Sequence, residues 1–287
     1  MIYILLSILS STGILILFRY FKKFEIPLYP AIVANYLVAG SLGFIIDSDQ
    51  IISVLKGYSN WLPYSLSIGF LFITLFNLMG LSSQKAGVGI TSVAVKLSMV
   101  IPVLGAIYLL NEPVGLVKIM ALVLAVASVW LIQPKRSGLK DKRAIFLPLI
   151  LFLGSGLLDL LLNQVESRYL GTEDLLVFTS VLFGTAGIFG LISLPVFLKK
   201  NPVKIGSKVG LAGLGLGLVN FGSIYFLLGA LSGKGVPGSV LFPLNNLGIV
   251  LLSGLLGWVI FGESLSLRQK IGFALAIIAL SLLIGKV

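Results

Sequence analysis

Apolar residues fill long uninterrupted stretches of this chain, and polar residues are confined to the short breaks between them. The stretches run to about 17–25 residues, the length a helix needs to cross a hydrocarbon core about 30 Å thick. They lack the alternation of barrel strands, so helices are the predicted spanning elements. Ten spans result: Ile2–Phe18, Pro30–Ile46, Trp61–Ser83, Val88–Leu110, Val114–Ile132, Ala144–Val165, Leu175–Leu198, Val209–Leu231, Val236–Phe261 and Leu267–Ile284. Most links are short, so sequential spans are expected to run antiparallel. The longest link, Asp47–Asn60, holds Ile51, Ile52, Val54 and Leu55; it predicts either a segment lying flat in the membrane interface or a simple loop. The first span has no basic residues ahead of it and is followed by Arg19, Lys22 and Lys23, which reads as a retained helix and not as a signal peptide.

Two windows echo each other. Tyr108–Ile132, "YLLNEPVGLVKIMALVLAVASVWLI", and Trp258–Ile284, "WVIFGESLSLRQKIGFALAIIALSLLI", each close an apolar span on a Glu (Glu112, Glu263), turn briefly, and enter a final Ala/Leu/Ile-rich span. The predicted fold is therefore an all-α integral membrane protein of ten transmembrane helices arranged as two five-helix repeats, 1–133 and 144–287, joined by a basic connecting loop at 134–143. Because five is odd, the second repeat enters the membrane inverted, the geometry in which alternating access operates around a central site.

The length, the ten spans, the two halves and the pair "L-N-E-P" (Leu110–Pro113) and "F-G-E-S" (Phe261–Ser264) resemble the drug/metabolite transporter superfamily in its EamA-like branch. Those motifs match the family's "L-G-E" followed by a small residue or Pro, with Asn111 in place of the usual Gly in the first copy. The resemblance covers nearly the whole chain and implies a central cavity lined by spans three, four, six, eight and nine, and export or exchange of amino acids, sugars, nucleotides or related solutes. It also implies that both termini are cytoplasmic. The positive-inside rule gives the opposite orientation: of 21 Lys and Arg residues, fifteen fall in the odd-numbered links and five on the other face, with Lys96 inside a span.

Composition narrows the chemistry. With 57% hydrophobic and 11% charged residues, against about 25% charged in a soluble domain, the partner of most of the surface is lipid bilayer. The net charge of +11 sits in short loop blocks without interleaved aromatics, so nucleic acid is not the expected partner. The chain has no Cys and no His, which excludes thiolate chemistry, zinc sites and histidine proton relays; no metal and no cofactor are expected, and a coupling proton would need a carboxylate.

Ionisable and amide side chains inside spans are costly there and so mark function. Lys96 lies eight residues into span four, about 12 Å deep by helical rise, either snorkelling to the interface or offering a cation to a substrate carboxylate or phosphate. Asn77 on span three lies at similar depth. Asp159 on span six shares one helix face with Ser155, Asn163 and Glu166 (i, i+4, i+8, i+11), a stripe that suits a watery cavity wall or interhelical hydrogen bonding. Helical rise sets Asp159 about 10 Å deeper than Lys96, so a direct salt bridge is not expected. Span nine places Asn245 and Asn246 beside Pro243, while Pro102 in span four reads as a break near a site or a plain kink. Asn220 and Tyr225 on span eight complete the candidates. Gly184, Gly187, Gly213 and Gly217 read as close helix contacts. Gly210–Gly217 is no phosphate loop, since it lacks the following Lys and Ser/Thr.

These residues predict a secondary transporter moving a small polar metabolite by alternating access, not an enzyme, with protons as the candidate coupling ion on Asp159. The expected location is a cell membrane, as a multi-pass protein of a bacterial inner membrane. The alternative is an integral-membrane enzyme acting on a lipid or isoprenoid substrate, which would want clustered acids or histidines at the interface.

Overall fold

The structure, a computed structural model, describes residues 2–56, 60–85, 94–109, 111–113, 115–132, 146–233, 236–261 and 266–284. Eleven helices account for most of them: α1 (Ile2–Lys23), α2 (Leu28–Ile46), α3 (Ser48–Lys56), α4 (Leu62–Lys85), α5 (Val100–Leu109), α6 (Leu116–Ile132), α7 (Phe146–Tyr169), α8 (Leu175–Lys200), α9 (Ser207–Ser232), α10 (Gly238–Phe261) and α11 (Leu267–Ile284). Among the described residues, six stretches are long and apolar enough to cross a membrane: Leu28–Ile46, Leu62–Met79, Phe146–Tyr169, Leu175–Lys200, Ser207–Ser232 and Gly238–Leu256. Ile2–Phe18, Ala94–Leu109 and Leu116–Leu131 are shorter apolar helices. Large apolar side chains point outward all along these helices, among them Leu9, Ile45, Ile192 and Leu211, as expected where the solvent is hydrocarbon. The chain is a multi-pass α-helical membrane protein. The connecting loop 134–143, Leu110 and the Gly262–Ser264 motif with Glu263 lie outside the described residues.

Local chemistry sets the helix ends. Glu25 takes φ 52°, and the Ile26 N–H reaches the Phe21 carbonyl at 2.8 Å, a left-handed close for α1. Asp47 closes one helix and opens the next. Its N–H donates to the Gly43 carbonyl of α2, and its carboxylate accepts from the Gln50 N–H at 2.9 Å, capping α3. The Asp47–Asn60 link is thus largely helical and not a simple loop: Ile51 is fully buried while Ile52 faces out.

The chain forms two compact units. Unit 1 comprises Met1–Thr74 and Gln164–Ser232. In it α2 packs on α8 and α9, and α9 on α1. Tyr36 on α2 packs on Phe72 and Phe183, with ring centroids 6.3 and 5.9 Å away. The α2–α8 contact depends on a missing side chain: a Cβ at Gly40 would sit 2.6 Å from the backbone of Gly184. Gly187 and Gly213 likewise admit α2, against Leu37 and Ala34, which bears out the small-residue contacts expected from sequence.

Unit 2 comprises Leu75–Asn163 and Gly233–Val287, so α4 and α7 each contribute to both units. Here α6 packs on α11, and α10 on α5, α6 and α11. The core gathers Met99, Ala125, Val129, Leu247, Val250, Ala276 and Ala279; its alanines let the helix axes approach. Arg268 lies over the Trp130 ring at 4.4 Å and donates to the Trp130 carbonyl at 2.9 Å, tying the start of α11 to the end of α6.

Candidate functional site

The predicted span around Lys96 is interrupted by a turn. Residues 94–97 are helical, Ser98 and Met99 form a turn, and α5 starts at Val100. Pro102 falls in the first turn of α5, where its missing N–H costs little. The apolar path is therefore broken directly after Lys96, and both Ser98 and Met99 are buried there.

Lys96 does not snorkel away from the protein. It is half-buried, and its ammonium donates to Asn246 Oδ1 on α10 at 3.2 Å. Asp159 on α7 is near enough for the two charges to act on each other, without a hydrogen bond between them. The sequence reading, with Asp159 about 10 Å deeper than Lys96, does not expect a direct salt bridge, and none joins them among the described residues.

One turn along the same face of α7, Asn163 lies against the first residue of α10. A Cβ on Gly238 would fall 2.8 Å from both amide heteroatoms of Asn163, so the absent side chain is what admits the amide. Asn163 thus marks one point at which α7 meets α10, at Gly238. Within α10, Pro243 removes a backbone donor and leaves the Ser239 carbonyl without its helical partner.

Two of these amides are incompletely bonded. Asn163 is 2% exposed and Asn245 7%; Asn163 Nδ2 and Asn245 Oδ1 have no hydrogen-bond partner among the described residues. Buried polar atoms are nearly always paired; these two, like Thr12 Oγ1 in unit 1, are not paired among the described residues. Asn163 Nδ2 makes no interhelical hydrogen bond to a described residue. Asn77, half-buried on α4, belongs to the same unit. Glu166, at the far end of the stripe, belongs to unit 1.

Asn220 and Tyr225 are also in unit 1. Asn220 Nδ2 donates to Asn35 Oδ1 at 3.1 Å, so it ties α9 to α2. Tyr225 stacks on Phe221 with centroids 5.7 Å apart. The structure brings Lys96 to Asn246, with Asp159 near Lys96 and Asn245 one residue from Asn246; Asn163 meets α10 at Gly238, eight residues before Asn246, and Asn220 and Tyr225 are not grouped with them.

A second polar cluster, around Glu112, is not among the candidates read from sequence. Glu112 Oε2 accepts from the Ser239 N–H at 3.1 Å and from the Ser239 hydroxyl, and lies 3.6 Å from Lys118 Nζ. Lys118 also donates to the Pro113 carbonyl at 2.9 Å. The carboxylate therefore caps the N-terminus of α10, where free N–H groups and the helix dipole favour an anion. Asn111 delivers it: with φ 54° it ends the helical path, and the Glu112 N–H turns back to the Ala106 carbonyl at 3.2 Å. The only sequence signal for this contact was Pro237-Gly238-Ser239, a helix-start pattern.

No family model matches the chain. An uncharacterized protein of Haemophilus influenzae is 26% identical over 289 residues, which span 96% of this chain and 95% of that protein. The crystal structure of a protein 17% identical in sequence superimposes with a TM-score of 0.76, covering 98% of this chain and 94% of that one. At that identity the likeness is one of fold.

Proposed function

We propose that this chain is a secondary transporter for a small polar metabolite, working by alternating access, with ten spans in two inverted five-helix repeats, in the inner membrane of a bacterium. The observation that carries this reading is a lysine bonded to Asn246 with an aspartate close by, inside otherwise apolar helices that also bury the amides of Asn163 and Asn245. Ionisable groups at such depth are several kcal/mol unfavourable unless they serve each other or a ligand. The break after Lys96 and the proline in α10 add a second support, since interrupted helices in matching positions of two halves accompany binding sites. The packing adds a third. Aligned helix for helix, the two repeats make α2 the counterpart of α8, α5 of α10 and α6 of α11, and each of these pairs is in contact. The likeness to the drug/metabolite transporters in the Glu112 and Glu263 motifs fits the same reading.

Asp159 is the group on which a coupling proton would ride, with Lys96 the charge facing it. A thermal-unfolding screen of the purified protein against amino acids, sugars, nucleosides, phosphorylated metabolites and amines tests the reading. One class is expected to stabilise, by about 2.7 kcal/mol at 100 times its dissociation constant, and Lys96→Gln to remove the effect. Silence from every class would sink the proposal. In reconstituted vesicles Asp159→Asn is expected to flatten the pH dependence of transport; an unchanged profile would remove the proton from this carboxylate.

A further inference from the structure

We infer that one end of unit 1 binds the headgroup of an anionic phospholipid through Lys23, Lys199, Lys200, Lys204 and Lys208, with Phe24, Val203 and Ile205 seated at the acyl boundary beside them. The inference is independent of the transporter reading above, and either can fail without the other.

Packing places these residues together. Phe21 at the close of α1, Ala31 in the first turn of α2 and Val209 at the start of α9 share one buried cluster. Tyr29, also at the start of α2, packs on Phe197 of α8 with ring centroids 4.4 Å apart and meets the Ser193 hydroxyl at 2.6 Å. The end of α1, the start of α2, the end of α8 and the start of α9 thus form one end of the unit, and the five lysines belong to these termini and to the α8–α9 link. All five are exposed, and Glu25 is the single acid there among the described residues. The far end of the same unit has the opposite sign. The Gln50 amide donates to the Glu173 carbonyl at 2.7 Å, joining α3 to the turn before α8, and Asp47, Asp49, Glu173 and Asp174 stand there against Lys56 and Arg168.

Helix stability and membrane orientation account for only part of this charge. Lys199 and Lys200 stand in the last turn of α8, where a cation also offsets the helix dipole. Lys208 stands in the first turn of α9, where the dipole disfavours a cation, and Lys204 lies between the two helices. None of the four has an ion-pair partner among the described residues. Charge that only sets orientation can sit anywhere in a link. Here it is interleaved with outward apolar side chains: Phe24 is 55% exposed beside Lys23, and Val203 and Ile205 are 37% and 52% exposed on either side of Lys204. Water disfavours that exposure, whereas the boundary between headgroups and acyl chains accepts both kinds of side chain. A lysine at a membrane surface strengthens attraction to anionic lipid about fivefold. The attraction fades within a Debye length, so cations grouped at one end act together and Arg168 at the other does not join them.

The test is thermal unfolding of the full-length protein in an uncharged detergent, titrated with phosphatidylglycerol or with phosphatidylcholine. Phosphatidylglycerol is expected to raise the unfolding temperature, less so at high salt, and phosphatidylcholine to leave it nearly unmoved. Lys204→Gln/Lys208→Gln, exposed substitutions that leave the fold intact, should raise the lipid concentration for half the shift at least tenfold. Lys204→Arg/Lys208→Arg is expected to keep the response, and Arg168→Gln, at the acidic end, to leave it unchanged. Inorganic phosphate and glycerol phosphate, which carry the charge without the acyl chains, are expected to give no shift. A phosphate response equal to that of the lipid would assign the lysines to a soluble anion and overturn the proposal. Equal shifts with the two lipids would overturn it as well, as would a phosphatidylglycerol shift that survives the Gln pair or is lost in the Arg pair. Absence of any phosphatidylglycerol shift would end it too, and would leave the transporter reading standing, since that reading turns on soluble metabolites and Lys96.

Discussion

In unit 1, Asn35 and Asn220 are 0% and 3% exposed and their side chains answer each other at 3.1 Å; in unit 2, Asn163 and Asn245 are 2% and 7% exposed and each keeps an atom unbonded. Residue type and depth are alike in the two places, and the bonding is not. Around Asn220 the network continues. Asn35 Nδ2 donates to the Ile32 carbonyl at 3.3 Å, Ser223 Oγ to the Asn220 carbonyl at 2.8 Å, and Ser7 Oγ to the Ser223 carbonyl at 2.9 Å. Three helices are joined by a set of polar groups that satisfy one another. A buried polar atom left without a partner costs about 1–3 kcal/mol, and hydrocarbon offers no water in compensation. The first set therefore has a structural explanation complete in itself, whereas the second lowers stability unless something absent from the folded chain meets it.

The comparison breaks most directly under a matched pair of substitutions. Asn220→Leu removes one half of a satisfied pair and strands Asn35, so it is expected to destabilise unit 1 by about 1–3 kcal/mol while leaving solute affinity per folded molecule unchanged. Asn163→Leu replaces an amide that was unsatisfied to begin with. It is expected to leave stability unchanged or raise it, and to weaken solute binding at least tenfold. Thermal unfolding in detergent, with and without the stabilising solute, reads both quantities. If both variants lose stability and neither loses affinity, the two sets are of one kind.

How far the sequence disclosed this division can be followed residue by residue. The helical class and most span positions are legible because hydrocarbon imposes a run length that no other environment requires. Lys96, Asp159, Asn163, Asn245 and Asn246 are legible for a similar reason, being polar where polarity is costly. What the sequence does not disclose is partnership. Asn220 and Asn163 carry the same signal, an amide in an apolar run, and only the packing of α9 against α2 tells glue from site. Asn35 passed unremarked although it completes the pair. Helices apolar on every side hold no periodic stripe to say which face turns inward, so the two units, each drawing on both halves of the chain, are invisible in the pattern. Glu112 was conspicuous in sequence, yet its partners Lys118 and Ser239 are separated from it by a turn and by a whole repeat.

Glu112 sharpens the comparison because it is a satisfied polar group on the same helix as the unsatisfied ones. Glu112→Gln removes the charge facing Lys118 and weakens the cap on α10. A hydrogen bond to a charged group contributes about 1.5–3 kcal/mol, and this one lies at a helix end, so a loss near about 1.5 kcal/mol is expected. Lys118→Met should cost a similar amount, and the double variant less than the sum, since the two side chains share one interaction. Solute affinity should fall only modestly, through loosening of the helix that positions Asn245 and Asn246. A loss of affinity as large as that of Asn163→Leu would mean that the cap belongs to the site.

The smallest effect is expected at Asn111, where backbone and not side chain is at issue. Its φ of 54° is a conformation that most residues resist, by roughly 1–2 kcal/mol, and that Asn and Gly tolerate. Asn and Gly both let the chain turn sharply enough here to aim Glu112 at α10. Asn111→Ala is therefore expected to cost about 1 kcal/mol, and Asn111→Gly to be nearly neutral, with any difference due to the greater freedom of Gly in the unfolded chain. Thermal unfolding of the two proteins side by side measures the contrast. Equal stability would mean that the left-handed turn does not direct the carboxylate. An Ala variant that also abolished the loss expected for Glu112→Gln would tie that loss to the turn, because a misdirected carboxylate has no cap left to lose.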